Sequence, residues 1–132
     1  MFVDIFNTDK KYDIIYADPP WSYENKYPHS SALYEYPTLS LDNLKLLPVE
    51  KLANDNSVLF LWFTYPLIKE ALELIEAWGF KYKTLGFQWI KLSKTGQKLH
   101  WGTGYWTRRN SEGCFIATKG GGIRSLNHDV HE

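Results

Sequence analysis

The chain has 132 residues, enough for one domain with a sizeable core. Lys and Arg total 15, as do Asp and Glu, so the zero formal charge argues against a strong non-specific phosphate binder. One cysteine excludes an intrachain disulfide framework. No signal peptide opens the chain and no run is apolar enough to span a bilayer, so the expectation is a cytoplasmic protein without membrane contact.

Charge is unevenly placed. From Lys81 to Lys119 there are eight cations (Lys81, Lys83, Lys91, Lys94, Lys98, Arg108, Arg109, Lys119) against one acid, Glu112. A locally basic face on a neutral protein is expected. Most of the 6 Trp, 9 Tyr and 7 Phe read as core packing, and the rest as a platform for a planar ligand.

Residues 12–17 form an apolar run with β-branched and aromatic members, cut off by Asp18-Pro19-Pro20-Trp21. This predicts a strand followed by a loop. Residues 22–37 are polar and aromatic without a clean period and read as a long functional loop. Ser40 caps a short helix to about Leu46, and Pro48 starts another turn to about Ala53. Asn54-Asp55-Asn56 breaks the chain before the apolar strand Ser57–Phe63.

Thr64 or Tyr65 with Pro66 marks a helix start, and Gly79 marks its stop. Ile68, Ala71, Leu72, Ile75 and Trp78 recur between them at helical spacing. Phe80–Leu85 and Phe87–Leu92 read as two strands, and Gly113–Thr118 as the last. Alternating strand, helix and strand predicts an α/β fold with a mostly parallel sheet. In such sheets ligands bind beyond the carboxyl ends of the strands, which places Asp18 at the site.

Asp-Pro-Pro-Trp suits chemistry on a flat ring that carries an amine. The 6-amino nitrogen of adenine delocalises its lone pair into the ring and is a poor nucleophile. Hydrogen-bond acceptors that hold its two protons favour a pyramidal nitrogen. Asp18 offers a carboxylate, the Pro19 carbonyl a second acceptor of fixed direction, and Trp21 a stacking face. A sulfonium methyl placed in line would transfer by displacement, with the rate gained from positioning and fixed dipoles.

The same residues carry a resemblance. Tyr12-Asp13-Ile14-Ile15-Tyr16-Ala17-Asp18-Pro19-Pro20-Trp21, Tyr36-Pro37-Thr38-Leu39-Ser40, Leu59-Phe60-Leu61-Trp62, Trp78-Gly79-Phe80, Trp89-Ile90-Lys91, and Gly104-Tyr105-Trp106 through Asn110-Ser111-Glu112-Gly113-Cys114 occur in one order over nearly the whole chain. In this the chain resembles the adenine N(6)-methyltransferases, the family of phage and bacterial DNA enzymes and of the catalytic subunit of the eukaryotic mRNA adenosine methyltransferase. The resemblance implies a Rossmann-like class I methyltransferase fold. It also implies S-adenosylmethionine as cofactor and a target adenine in DNA, or in RNA. Asp18, Pro19, Pro20 and Trp21 match the catalytic motif, with Asp18 also facing the cofactor. Ser22–Tyr36 matches a mobile gate, including Tyr23 on the substrate. Glu112 matches an acid near the target base.

Trp101, Tyr105, Trp106, Arg108, Arg109 and Asn110 interleave rings with cations and polar groups, a pattern suited to stacking on bases and pairing with phosphates. In the mRNA enzyme the corresponding loop also meets a partner subunit, so a homo- or hetero-dimer interface competes for this segment. Family members carry a further strand and basic loop after the segment matching Cys114–Thr118, which supply much of the donor pocket. Nothing here matches them. The expectation is therefore a methyltransferase domain over 1–118, truncated at its C-terminus, with 119–132 a flexible tail. The alternative function is an inactive relative that binds nucleic acid or a partner. Methylation of a cytosine amine would use similar acceptors and fits the family pattern less well.

The remaining motifs carry less. Lys119-Gly120-Gly121-Gly122 lacks a P-loop pattern, and His128 and His131 do not make a metal site. Cys114 lies in an apolar run and reads as a core residue.

Overall fold

The computed structural model describes residues 2–22, 37–100, 102, 106–107 and 110–123. The strands are β1 (Tyr12–Ala17), β2 (Ala53–Phe63), β3 (Lys81–Ile90) and β4 (Ser111–Lys119), joined in one sheet of order β1-β2-β4-β3. The helices are α1 (Leu41–Lys45), α2 (Val49–Leu52) and α3 (Ile68–Ala77), the last preceded by a 3₁₀ turn at Tyr65–Leu67.

The sheet is mixed, which corrects the expected parallel arrangement. β1 and β2 pair in parallel, while β4 runs antiparallel to both β2 and β3. β1, β2 and β3 point the same way, as alternation with helices requires. No described helix lies between β3 and β4, however, so β4 returns antiparallel and inserts between β2 and β3. That insertion leaves one parallel pair out of three.

Helices cover one face of this sheet. Leu59, Leu61 and Phe63 of β2 and Phe115 and Ala117 of β4 pack against Leu44, Val49, Ala71, Leu74 and Ile75. Phe63 and Phe115 stack with ring centroids 3.9 Å apart. The buried stripe of α3 is Ala71, Leu74, Ile75 and Trp78, rotated from the expected one; Ile68 and Leu72 face solvent in part. Ser40 caps α1 by accepting from the Asn43 N–H at 3.3 Å, and the Trp78 indole N–H donates to the Leu44 carbonyl at 2.9 Å. The first bond starts α1 and the second ties it to the end of α3.

α3 stops as expected at Gly79. The Gly79 N–H donates to the Glu76 carbonyl and the Phe80 N–H to the Ile75 carbonyl, each at 3.0 Å. Gly79 has φ +79°, the left-handed turn that this closure needs.

Two polar details depart from the expected pattern. Asn54-Asp55-Asn56 does not break the chain but lies inside β2. Between the pairs Tyr12–Ala53 and Ile14–Val58 these residues bulge outward, and the Asn54 amide donates to Asp13 Oδ1 at 2.7 Å. The two strands expected on either side of Gly86 are one strand, β3, with register shifts at Tyr82/Thr84 and Leu85/Phe87.

The second shift matters for the site. Leu85 pairs with Phe115 on the helix-covered face, yet Phe87 pairs with Cys114 and stacks on Phe60 on the other face. Strict alternation would return Phe87 and Trp89 to the helix side. The extra residue, Gly86, reverses the phase of the strand. A side chain there would meet Ile116 Cγ1 at 2.5 Å, so the crossing of Ile116 over the bulge requires glycine.

Candidate active site

β1 ends where Pro19 and Pro20 can no longer donate to the ladder, and Asp18 lies just past its carboxyl end. The turn that follows is tightly held. The Trp21 N–H donates to the Pro19 carbonyl at 2.8 Å, and the Leu39 N–H to the Pro20 carbonyl at 2.8 Å. The Ser22 N–H donates to the Leu39 carbonyl at 3.2 Å, completing a parallel bridge between Trp21 and Leu39.

Trp21 is buried in the core, and its indole N–H donates to the Trp62 carbonyl at 3.0 Å. It thus ties the motif to the end of β2 and turns no face to the open side of the sheet. The Pro19 carbonyl already accepts one hydrogen bond from within the motif, which leaves it one lone pair for a ligand.

On the face without helices, an open cleft of about 470 Å³ runs across the carboxyl ends of β1, β2 and β3. Tyr16, Asp18, Trp62, Phe87, Gln88, Trp89 and Glu112 line it. Strand register brings them together. Tyr16 pairs with Phe60, Trp62 with Cys114, and Trp89 with Glu112, so one face collects residues from four strands. The Trp62 indole N–H donates to the Tyr16 hydroxyl, and the two rings meet edge to face at 6.4 Å.

Two carboxylates face each other in this cleft. Burial raises the Asp18 carboxyl above its ordinary value, and the charge of Glu112 adds to the effect. Glu112 pairs with the Lys91 ammonium, which lies 5.1 Å from the centroid of the Trp89 ring. Cys114 lies buried beneath, its thiol pushed up to about 11 by burial first and by Asp18 second. It is a core residue, with no thiolate character at neutral pH.

Of the residues singled out in the sequence, Asp18 and Glu112 meet in the cleft. Pro19, Pro20 and Trp21 support it from behind. Asn110 fixes the end of β3 by accepting the Lys91 N–H at 2.7 Å. Trp106 is 99% exposed and does not line the cleft. Tyr23, Arg108 and Arg109, with Trp101, Tyr105 and most of the expected gate, lie outside the described residues.

Tyr16, Trp62, Phe87, Gln88, Trp89 and Lys91 were not singled out for the site. Tyr16 could have been found, because it lies two residues before Asp18 and shares its face. Phe87 and Trp89 could not, because their side depends on the bulge at Gly86.

The MT-A70 family profile matches residues 12–132. The chain belongs to the MT-A70 family. Its relatives include the Type II methyltransferase M.MunI of Mycoplasma sp, 40% identical over 101 residues, a stretch covering 63% of this chain and 43% of that protein. The probable N(6)-adenosine-methyltransferase MT-A70-like of Oryza sativa subsp. japonica is 29% identical over 121 residues, 91% of this chain and 16% of that one. The N(6)-adenine-specific methyltransferase METTL4 of Homo sapiens is 33% identical over 98 residues, 70% of this chain and 19% of that one. This MT-A70 chain therefore spans less than half the length of these relatives. The resemblance that begins at Tyr12 and includes Asp18-Pro19-Pro20-Trp21 is to the same family.

Proposed function

We propose that this chain carries the catalytic cleft of an adenine N(6)-methyltransferase, acting on DNA and, as a second substrate to assay, RNA. The observation that carries the reading is Asp18 at the carboxyl end of β1, in a cleft walled by Tyr16, Trp62, Phe87 and Trp89 and closed by Glu112. A flat base fits between such rings, and its amine needs a carboxylate at the edge.

Asp18 accepts one amine proton. The remaining lone pair of the Pro19 carbonyl accepts the second, its direction set by the bond from Trp21. Trp21 acts from the core by holding this backbone against β2, and the stacking faces come from the cleft rings. Glu112 orients the base by accepting from it. In duplex DNA the base must leave the stack first, because its amine is otherwise paired. The cations Lys94 and Lys98, exposed in the segment after β3, and the exposed Trp106 then meet the flanking strand.

S-adenosylmethionine fits this donor set: a sulfonium cation is favoured beside Asp18 and Glu112 and against the aromatic faces. When bound it supplies an electrophilic methyl group to the amine nitrogen. The parallel β1–β2 pair, with its ligand end at Asp18, is the part of the sheet that a Rossmann-like methyltransferase would share.

A second reading, that the chain works as one subunit of a dimer, is favoured by β1. It is an edge strand among the described residues. Such an edge accepts a strand from another polypeptide.

The test incubates the purified protein with labelled methyl donor and adenine-containing duplex DNA or RNA, and digests the product to nucleosides. Labelled N(6)-methyladenine from the natural chain and none from Asp18→Ala supports the reading. Equal label from both overturns the role of Asp18, and label on cytosine overturns the substrate.

A further inference from the structure

Lys91 directly follows β3, and its backbone is held on both sides. Its N–H donates to the Asn110 carbonyl at 2.7 Å, and its carbonyl accepts from the His100 N–H at 2.9 Å. Its ammonium pairs with Glu112 Oε1 and lies 5.1 Å from the Trp89 ring centroid. Trp89 and Glu112 are themselves cross-strand partners. The three residues close a triangle in which strand pairing joins two and Lys91 touches both.

Two members of that triangle line the cleft, and Lys91 does not. The cleft lining contains two carboxylates and no cation. The ionisable groups that face Asp18 are Tyr16 from β1 and Glu112 and Cys114 from β4; β2 contributes Trp62, and β3 contributes Phe87, Gln88 and Trp89, all uncharged. Two carboxylates in one cleft tend to share a proton, and the sharing weakens when one is balanced by a cation. The Lys91 and Glu112 side chains are 38% and 27% exposed, enough withdrawn from water for the pair to be felt across the cleft.

We propose that Lys91 is a positioning residue of this cleft: its ammonium, held between Glu112 and the Trp89 ring, balances the charge that Glu112 presents to Asp18 and fixes the aromatic wall. The inference rests on Asp18 being the acceptor of the proposed reaction. Lys91 acts through Glu112 and Trp89 and touches no reacting atom. Arginine would preserve its charge and its contact with the ring; methionine would keep the stem and remove the charge.

The test follows the Asp18 carboxyl carbon by NMR across a pH series in the full chain. The proteins compared are the natural chain, Lys91→Met, Lys91→Arg and the double variant Lys91→Met with Glu112→Gln, with Lys91→Gln as an independent charge-removing variant. The Asp18 midpoint should move to higher pH in Lys91→Met and Lys91→Gln, return in Lys91→Arg, and return again in the double variant. The indole NMR signals of Trp89 should also shift in Lys91→Met at constant pH. An unmoved midpoint in both charge-removing variants overturns the proposal, as does a shift that survives removal of the Glu112 charge. The titration needs no turnover, so the expected pattern in a chain that methylates nothing would keep Lys91 in its role and sink the reaction instead.

Discussion

The indole N–H of Trp21 donates to the main-chain carbonyl of Trp62 at 3.0 Å, across 41 positions of chain. This bond joins the end of the Asp-Pro-Pro-Trp motif to the end of β2 and commits the tryptophan to architecture. Trp21→Phe keeps most of the packing and removes the bond, at about 1 kcal/mol with more for the smaller ring. The expected outcome is a melting temperature lower by a few degrees together with reduced transfer, measured by calorimetry and product assay. Weaker base binding at unchanged stability would instead return Trp21 to a stacking role.

Asp18 bears on stability with a definite sign. Its folded carboxyl is raised above the ordinary value by burial and by Glu112, so the folded state binds its proton more readily than the unfolded chain does. Its ionisation therefore costs stability as pH rises through the unfolded value and then the folded one. Asp18→Asn should abolish transfer while matching or exceeding the natural chain in melting temperature at neutral pH. That advantage should vanish in acid, where Asp18 is neutral in both states. Differential scanning at several pH values checks this; a variant less stable at neutral pH than in acid, relative to the natural chain, contradicts it.

Gly86 and Ile116 should be thermodynamically coupled. A Cβ at position 86 would lie 2.5 Å from Ile116 Cγ1, so Gly86→Ala should cost about 1–3 kcal/mol by overpacking. In an Ile116→Ala background the same change should cost less, because the obstructing atoms are gone. Denaturant unfolding of the four proteins gives the interaction energy directly, and additive effects would refute the clash.

Lys94, Lys98 and Trp106 test the proposed nucleic-acid contact in two separable ways. Replacing both lysines with alanine should reduce the slope of log affinity against log salt by about 2, one for each phosphate no longer neutralised. Trp106→Ala should weaken binding by about 1–3 kcal/mol through the missing stack and leave the slope unchanged. Fluorescence anisotropy over a salt series distinguishes them. Unaltered binding in both variants would assign this surface to a protein partner.

The sequence was most readable where local rules decide the outcome. Proline after Asp18 ends β1, Ser40 caps α1, and Gly79 closes α3, all at or near the expected positions. Asp18 stood out by its chemistry at the end of an apolar run and Glu112 through the family resemblance, and the two line one cleft. The mixed sheet did not, because nothing local to β3 or β4 says which strand will lie between which. The aromatic walls did not either. Whether Phe87 and Trp89 face the ligand or the helices turns on one bulged residue, and hydrophobic patterning is blind to it when both faces are apolar. Trp21 misled for a related reason: a ring beside a reactive carboxylate reads as a substrate face, and only its hydrogen bond to Trp62 shows it to be a strut.

The bridge between Trp21 and Leu39 brings the two ends of the segment 23–36 to neighbouring points on one rigid floor. Two points held together in this way make any connection between them cheap to close. Doubling the length of such a connection adds only about 0.6 kcal/mol of entropy. A different insert between Ser22 and Pro37 should therefore leave the sheet and Asp18 undisturbed.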